Sequence, residues 1–177
     1  MKRIGFFGGC FNPVTNIHIK IANNLIKEGK LDKVIFVPVN DYYKKENLAS
    51  ARDRFNMLEL ATKKYDNLEV DNIEIKENRP LYAVDAFEVI MESSKWTKSC
   101  KKDIYLIMGS DNFKKMPNWK DYDKIKDKYN YIVIDRDEKE ISSTTIREML
   151  KNNDKKVLQY LPKEVYEYID RNKLYKL

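Results

Sequence analysis

The chain has 177 residues, of which 42% are hydrophobic and 35% charged, and its net charge at pH 7 is +6. That length fits one domain with a core large enough to need no disulfide or structural metal. Cys10 and Cys100 lie far apart, which argues against a disulfide framework or a zinc site. The lysines are interleaved with acidic residues, so the charge favours a small anionic ligand over nucleic acid. There is no long apolar run and no signal-peptide pattern, and we therefore expect a cytoplasmic protein without a membrane partner.

Strand-like and helix-like segments alternate along the sequence. Strands are predicted over Lys2–Phe7, Lys33–Val37, Leu68–Ile75 (with a bulge or bend), Asp103–Met108 and Asn130–Ile134. Helices are predicted over Asn16–Glu28, Ala51–Lys64, Tyr82–Ser94, Asp121–Asp127, Ser142–Lys151 and Pro162–Asn172. Short strands separated by helices are typical of a parallel sheet that is covered on both faces. We therefore expect a single α/β domain, a doubly wound parallel sheet with a short C-terminal helical part.

The first segment of chemical interest is GGCFNPVTNIH, which runs from Gly8 to His18 between the first strand and the first helix. In a parallel sheet the ligand crevice lies beyond the carboxyl ends of the strands. Gly8 and Gly9 leave the main chain bare, so backbone amides there can approach a polyphosphate. Thr15 is placed to cap the helix, whose N-terminal N–H groups and dipole favour an anion.

His18 is the only histidine of the chain and falls in the first turn of this helix. It can donate a hydrogen bond to a phosphate oxygen, or it can be a packed residue on the same stripe as Ile21 and Ala22. The pattern around an isolated histidine favours packing. A pair of glycines is also weak evidence by itself, because the segment matches neither GxGxxG nor a Walker sequence.

The second segment is ISSTTIRE, Ile141–Glu148. Ser142 or Ser143 can cap the helix that follows, and Glu148 can complete a capping arrangement. Capping does not account for Arg147, which projects near the start of that helix. A guanidinium beside a second helix N-terminus again predicts a polyphosphate site.

The third segment, Met108–Trp119, begins at the end of a buried strand. Gly109 follows that strand directly, Asp111 can accept hydrogen bonds from ribose hydroxyls, and Trp119 can stack on a flat ring. Each residue has an ordinary explanation alone, as a turn glycine, a helix cap or a partly buried aromatic. Three such segments at three strand ends are harder to explain in this way, and together they predict a nucleotide site.

Two of these segments also match family signatures. GGCFNPVTNIH resembles the (His/Thr)-x-x-His signature of the nucleotidyltransferase superfamily, usually HxGH after G-x-F-[DN]-P, and ISSTTIR resembles its ISSTxIR signature. Further stretches resemble nicotinate mononucleotide adenylyltransferases: KVIFVP, ASARDRFNMLELA, RPLYAVDAFEVI, YLIMGSDNFKKMPNW and LPKEVYEYIDRNKLY. The resemblance covers nearly the whole chain. It implies a Rossmann-like core over about residues 1–136, followed by the ISSTxIR helix and C-terminal helices over 141–177.

The resemblance also implies roles for residues at the matching positions. Catalytic contacts to phosphate are implied for Thr15, His18, Lys45 (or its neighbour Lys44) and Arg147. Contacts to ATP are implied for Gly8, Gly9, Phe11, Gly109, Asp111, Ile141, Ser143 and Thr144. The mononucleotide is expected against Tyr82, Ala83, Asp85 and Trp119, with Trp119 stacking on the pyridine ring. Where many bacterial members read YTxDT, this chain has Tyr82-Ala83-Val84-Asp85-Ala86.

The reaction that the resemblance implies is adenylyl transfer in NAD biosynthesis. The 5′-phosphate of nicotinate mononucleotide attacks the α-phosphorus of ATP, which gives nicotinate adenine dinucleotide and pyrophosphate. We expect Mg²⁺ as cofactor, held mainly by the ATP phosphates, and no metal site on the protein itself, because the sequence has no dense carboxylate cluster.

Three alternatives remain open in the sequence. The acceptor can instead be nicotinamide mononucleotide or another phosphorylated metabolite such as phosphopantetheine, although the ISSTxIR segment argues against the latter. The chain can be a regulatory nucleotide-binding protein without catalysis, against which His18 and Arg147 count. A nucleic-acid-binding module would need a basic, aromatic face, and none is recognisable. The sequence does not determine the oligomeric state.

Overall fold

In the computed structural model, which describes residues 2–43, 46–97, 103–135 and 141–176, five strands form one parallel sheet. The strands are β1 Ile4–Gly9, β2 Lys33–Pro38, β3 Leu68–Val70, β4 Ile104–Gly109 and β5 Asn130–Ile134. They lie in the order β3-β2-β1-β4-β5, which is the order of a Rossmann-like sheet.

The helices alternate with these strands along the chain. They are α1 Asn16–Lys27, α2 Ala51–Thr62, α3 Ala83–Ser93, α4 Ser110–Lys115, α5 Ser143–Lys151 and α6 Lys163–Arg171. Short 3₁₀ turns occur at Met116–Asn118, Tyr122–Lys124 and Lys155–Gln159. Along the part of the chain that the structure describes, no helix combines the length and the apolar character needed to span a bilayer.

Helices cover both faces of the sheet. On one face, Phe7 and Phe36 pack with buried residues of α1, α2, α5 and α6. On the other face, Phe6 and Ile35 pack with Ile90 of α3. Alternate residues of β1 and β2 therefore belong to opposite cores, which explains why both strands read as continuous hydrophobic runs. The predicted doubly wound α/β fold is confirmed. The boundary near residue 136 stays a prediction, since residues 136–140 lie outside the described ranges.

Two glycines are required by the fold itself. Gly29 ends α1 with a φ of +66°, a left-handed conformation that glycine adopts without strain. Gly5 is the second residue of β1, where a Cβ atom would collide with the side chains of Leu31 and Ile107. Gly29 is therefore needed for the turn that follows α1, and Gly5 for close packing in the core.

The segment that contains β3 differs from its prediction. β3 ends at Val70, whereas the sequence pattern predicts a strand that continues to Ile75. A turn replaces the strand, and in it the N–H of Lys76 donates to the carbonyl of Asn72 at 3.1 Å. Ile73 still packs against the core on the α3 side of the sheet, so its apolar position belongs to a turn.

Two short segments after β4 also differ from the predictions. The helix predicted over Asp121–Asp127 is a single 3₁₀ turn at Tyr122–Lys124. Conversely, α4 forms where the sequence pattern does not predict a helix. None of its residues is buried, so α4 lacks the apolar stripe on which such a prediction depends.

Candidate active site

The two central strands separate at their carboxyl ends. The pairing of β1 with β4 stops at Phe7 and Ile107. Beyond that point β1 stays paired with β2 up to Gly9, and β4 stays paired with β5 up to Gly109. A crevice therefore opens between β1 and β4, where the strand order reverses. Doubly wound sheets bind their ligands at this position.

Gly8 and Gly109 border the crevice with open space beside the main chain. A Cβ atom at either position would have no protein atom within 4 Å, and neither residue has a φ that only glycine tolerates. Gly9 differs, because a Cβ atom there would lie 3.1 Å from Cζ of Phe11. Packing therefore does not require glycine at Gly8 or Gly109, and the lack of side chains leaves the main chain accessible at the crevice.

Thr15 and His18 are joined to each other at the start of α1. The N–H of Thr15 donates to Nδ1 of His18 at 3.0 Å, and the Thr15 hydroxyl lies 2.8 Å from the same nitrogen. Because Nδ1 accepts from a main-chain N–H, the neutral ring carries its hydrogen on Nε2, where it is a donor. Thr15 is only 2% exposed. Its side chain is thus placed to orient His18, and its own contact with phosphate stays a prediction.

The ring of His18 also packs against aromatic residues of the core. Its centroid lies 5.2 Å from that of Phe11, edge to face, and 6.2 Å from that of Phe7. Phe11 is buried and has a φ of +46°, so its side chain fills the core while its main chain turns beside the crevice. Packing and hydrogen bonding together fix the orientation of the His18 ring. A packed histidine and a hydrogen-bond donor to phosphate are therefore compatible roles for this residue.

The start of α1 offers an anion fewer main-chain donors than the sequence suggests. The N–H of Thr15 is used by His18, and the N–H of Asn16 donates to the carbonyl of Tyr160 at 2.8 Å. The side chain of Asn16 also donates, to the carbonyl of Gln159 at 3.1 Å. The N–H groups of Thr15 and Asn16 are therefore already used within the protein.

Arg147 links the two signature segments. Its Nη1 donates to the main-chain carbonyl of Asn12 at 2.9 Å, and its Nη2 donates to the hydroxyl of Thr144 at 3.2 Å. The Arg147 side chain remains partly exposed. The segment after β1 and helix α5, which are 135 residues apart in the sequence, thus meet at one cation.

Helix α5 begins with a predicted cap. Ser142 is the N-cap residue, and its hydroxyl accepts from the N–H of Thr145 at 3.1 Å. Thr145 occupies the third helical position, and its hydroxyl lies 2.9 Å from that of Ser142. The prediction that Glu148 completes the cap is wrong, because Glu148 lies one turn farther along. Ser143 and Thr144 are at least partly exposed in the first turn, beside the guanidinium.

A second group of predicted site residues lies where α3 begins. Tyr82 is 62% exposed, and its N–H donates to the carboxylate of Asp85 at 3.1 Å. The ammonium group of Lys120 lies 5.2 Å from the centre of the Tyr82 ring. The neighbouring Trp119 packs against Phe87 of α3, with 6.2 Å between the ring centroids. The structure brings the predicted mononucleotide residues together and adds Lys120, which the sequence pattern does not indicate.

The remaining predicted residues are less closely grouped. Ala83, the first residue of α3, lies next to Tyr82 and belongs to the mononucleotide group, whereas Ile141 packs against the core before α5. Asp111 is exposed in the first turn of α4 and has no hydrogen bond or ion pair with another described residue. Lys44 and Lys45 lie outside the described residues, so the contact of Lys45 with phosphate stays a prediction.

Sequence reasoning missed the role of Asn12. The residue is 2% exposed, and its side chain makes three hydrogen bonds. Nδ2 donates to the carbonyl of Asn47 at 2.8 Å, while Oδ1 accepts from the N–H of Ala49 at 3.0 Å and from the hydroxyl of Tyr175 at 2.7 Å. The sequence signal for this role was the position of Asn12 in the G-x-F-[DN]-P pattern, where only Asn or Asp is usual.

The sequence also provided no indication of the role of Arg54. Among the residues that the structure describes, Arg54 is the largest fully buried side chain. Its guanidinium donates to the carbonyls of Cys10 at 3.1 Å, Ala49 at 2.8 Å and Asn40 at 3.4 Å. Burial lowers the pKa of Arg54, and the carboxylate of Asp41 at 3.5 Å opposes that shift. Arg54 therefore ties the segments after β1 and β2 to each other and places a buried positive charge behind the crevice.

Comparison with known proteins agrees with this geometry. The cytidylyltransferase-like family model matches residues 6–149, a range that includes both signature segments. A "Probable nicotinate-nucleotide adenylyltransferase" of Endomicrobium trichonymphae is 31% identical, and the alignment covers 99% of this chain and 100% of the relative. A protein of the same name from Flavobacterium johnsoniae is 32% identical, with 98% and 99% covered.

Solved structures share the fold. The structure of "Plasmodium falciparum nicotinic acid mononucleotide adenylyltransferase complexed with NaAD" superimposes with a TM-score of 0.71 at 17% identity, and 99% of this chain and 98% of that chain are covered. The family match and the relatives above 30% identity assign the chain. It belongs to the cytidylyltransferase-like nucleotidyltransferases and, among them, to the nicotinate-nucleotide adenylyltransferase family.

Proposed function

We infer that this chain transfers the adenylyl group of ATP to nicotinate mononucleotide, giving nicotinate adenine dinucleotide and pyrophosphate in NAD biosynthesis. The observation that carries the inference is the hydrogen bond from Arg147 to the carbonyl of Asn12, which joins two nucleotidyltransferase signatures beside the crevice. Relatives that match this chain along its full length bear the name of the same activity, which supports the choice of reaction.

The reaction depends on positioning and charge stabilisation. A 5′-phosphate is already an anion at neutral pH, so no general base is needed to activate it. One of its oxygens forms a bond to the α-phosphorus of ATP while the bond from that phosphorus to the pyrophosphate oxygen breaks. Catalysis then consists of aligning the two phosphates and stabilising the charge that moves onto the leaving pyrophosphate.

Among the described residues, His18 and Arg147 are the side chains that we assign to the phosphates. His18 donates from Nε2, with its ring orientation set by Thr15. A guanidinium has five N–H donors, so the contacts of Arg147 with Asn12 and Thr144 leave others for phosphate oxygens. We propose Lys45 as a further cation, and the main chain at Gly8 and Gly9 as the wall along the polyphosphate.

The two nucleotide halves are assigned to opposite borders of the crevice. We propose that the adenosine of ATP lies along Gly109, with Asp111 accepting from its ribose hydroxyls. The pyridine ring of the mononucleotide then stacks on Trp119, beside the start of α3 and Lys120. This arrangement directs both phosphate groups toward the segment that carries His18.

We propose that Mg²⁺ is bound mainly by the phosphates of ATP. Among the described residues, no group of three or more His, Cys, Asp or Glu side chains could hold a metal ion. The side chains assigned to phosphate are hydrogen-bond donors and cations, which suits an ion coordinated by ATP oxygens and water. Bound in this way, Mg²⁺ supplies Lewis-acid stabilisation of phosphate charge. Because the reaction consumes ATP, we also propose that it takes place in the cytoplasm.

A panel of acceptors tests the proposed function. The purified chain is incubated with ATP, Mg²⁺ and, in parallel, nicotinate mononucleotide, nicotinamide mononucleotide or phosphopantetheine. We expect pyrophosphate and nicotinate adenine dinucleotide to form in equal amounts, quantified by chromatography. Binding of ATP without turnover on any acceptor would instead identify a nucleotide-binding protein that lacks catalysis.

A further inference from the structure

The C-terminal end of the chain reaches the segment that follows β1. The hydroxyl of Tyr175 donates to Oδ1 of Asn12 at 2.7 Å, across 163 residues of sequence. Asn12 is the residue whose main-chain carbonyl accepts from Arg147. One residue of the crevice thus receives a hydrogen bond from α5 on its main chain and another from the C-terminal end on its side chain.

The backbone around Tyr175 is held in an uncommon conformation. Lys173 and Tyr175 have φ values of +53° and +61°, in the left-handed region that bulky residues rarely adopt. Contacts on both sides keep the segment in place. The N–H of Leu174 donates to the carbonyl of Ile169 at 3.0 Å, and Lys176 forms an ion pair with Asp170 at 2.6 Å. Strain of this kind persists only where the surroundings over-determine it.

The surroundings of Tyr175 keep its hydroxyl a donor. Its ring packs against the core on the α6 side of the sheet, and burial raises the pKa of Tyr175. The positive charges of Arg147 and Arg54 lower that pKa, and the carboxylate of Asp53 raises it. The phenol therefore stays protonated and donates to Asn12 throughout the pH range of an enzyme assay.

We propose that Tyr175 is a positioning residue of the active site, acting through Asn12 on the carbonyl that Arg147 binds. Asn12 has three side-chain partners, and Tyr175 is the one that comes from the C-terminal end. Without the phenol, the Asn12 side chain loses one of the contacts that fix the segment after β1, and the main-chain carbonyl that Arg147 binds shifts with that segment. Tyr175 itself does not contact substrate. The proposal rests on the function proposed above.

The replacement Tyr175→Phe tests the proposal, because it removes the hydroxyl and keeps the packed ring. The matched control is Tyr168→Phe, which loses a hydroxyl that donates to Asp53 and accepts from Asn56 on the α2–α6 side. We expect Tyr175→Phe to lower kcat/KM for ATP about tenfold, since small misplacements of positioning groups cost rate. The control should stay within about twofold of wild type, and the two variants should melt within about 4 °C of each other.

A double-mutant cycle identifies the residue through which Tyr175 acts. In the Asn12→Ala background, Tyr175→Phe should have no further effect on kcat/KM, because the shared contact is already lost. In the Asn12→Asp background, which keeps an acceptor for the phenol, the loss should persist. Wild-type kinetics in Tyr175→Phe, or losses that multiply in the Asn12→Ala background, would overturn the proposal.

Binding measurements separate this proposal from the proposed function. Calorimetry with a non-hydrolysable ATP analogue should give a Kd about tenfold weaker for Tyr175→Phe than for Tyr168→Phe, whether or not the chain turns over nicotinate mononucleotide. If wild type lacks turnover and this difference in Kd remains, the proposed reaction is wrong and the positioning role stands. If wild type is active and the two variants behave alike, the positioning role is wrong.

Discussion

The guanidinium of Arg147 holds the carbonyl oxygen of Asn12 at 2.9 Å, so a side chain of the second signature binds the main chain of the first. A carbonyl oxygen carries partial negative charge, which would repel a polyphosphate in the neighbouring crevice. The hydrogen bond neutralises that charge and leaves other guanidinium N–H groups for the ligand. Arg147 thus joins the two signature segments, and we expect it to bind phosphate as well.

Replacing Arg147 tests both parts of this role. Arg147→Lys keeps a positive charge and loses the planar fork that reaches two acceptors. We expect the KM for ATP to rise about tenfold and kcat to fall, with a smaller change in the KM for the mononucleotide. Arg52→Lys, an exposed arginine of α2, is the control. An unchanged KM for ATP in Arg147→Ala would remove Arg147 from the site.

The Thr15–His18 pair predicts a graded loss of activity. His18→Ala removes a donor to the transferring phosphate and should lower kcat by about 10²-fold, as loss of one oxyanion donor does. Thr15→Val removes the hydroxyl that orients the ring and should cost about tenfold, whereas Thr15→Ser keeps it and should stay near wild type. For each variant, kcat is measured with a steady-state assay and the free energy of unfolding by urea denaturation. Full activity in His18→Ala with a loss of stability would show that the histidine serves packing alone.

The glycines at the crevice and in the fold should respond in opposite ways to alanine. Gly109 has a φ of −70° and open space beside it, so Gly109→Ala should leave the melting temperature unchanged or slightly higher. We expect the added methyl group to raise the KM for ATP. Gly29→Ala, at a φ of +66°, should instead destabilise the fold by about 1 kcal/mol and leave the KM unchanged. A lower melting temperature for Gly109→Ala with a normal KM would mean that this glycine serves the fold.

Glu74 gives the stability of the protein a dependence on pH. Glu74 is 6% exposed, and its burial raises its pKa to about 7 from 4.5, an effect that Arg54 opposes. The folded state thus keeps a proton that the unfolded chain loses near pH 4.5. The associated stability is present below that pH and is lost as the pH rises through about 7.

The neutral analogue Glu74→Gln should therefore stabilise the protein only at high pH. At pH 8 we expect its free energy of unfolding to exceed that of wild type by up to about 3 kcal/mol, and at pH 4 the difference should vanish. Urea unfolding at both pH values measures this, with Glu77→Gln, a partly exposed residue of the same segment, as control. Equal effects of Glu74→Gln at the two pH values would contradict the prediction.

The fold was predictable where the pattern is local. The residues of β1 and β2 are apolar on both faces because helices cover both faces of the sheet. Gly29 indicates the end of α1 because glycine readily adopts the left-handed conformation found there. β3 was predicted too long because Ile73 reaches the core from a turn. α4 was not predicted because it has no buried face.

The candidate site was predictable only in part, for a related reason. The signatures pointed to His18 and Arg147, since each residue belongs to a short segment of unusual composition. The hydrogen bond between Asn12 and Tyr175 joins positions 163 residues apart, and no local spacing indicates such a partner. In the sequence, Arg54 resembles any charged residue of an amphipathic helix. Only the structure shows that it is buried and donates to three carbonyls.

The start of α3 bears on the choice between nicotinate and nicotinamide mononucleotide, which differ by a carboxylate against an amide. The first N–H groups of a helix lack partners within it and, with the helix dipole, favour an anion. At α3 the N–H of Tyr82 is taken by Asp85, so selectivity rests on the N–H groups that follow and on Lys120, which lies against the Tyr82 ring. We expect Trp119 to stack on either pyridine ring and therefore to add affinity without selectivity.

We expect this enzyme to prefer nicotinate mononucleotide at least tenfold in kcat/KM, which corresponds to about 1.4 kcal/mol. An amide would turn its NH₂ group toward donors that then stay unpaired. Lys120→Gln should reduce the preference by lowering kcat/KM for the nicotinate substrate, while Lys115→Gln on α4 serves as the matched control. Both kcat/KM values are measured on one enzyme preparation. Equal values, or a preference for the amide, would refute the nicotinate assignment and leave adenylyl transfer in place, because both acceptors carry the same 5′-phosphate.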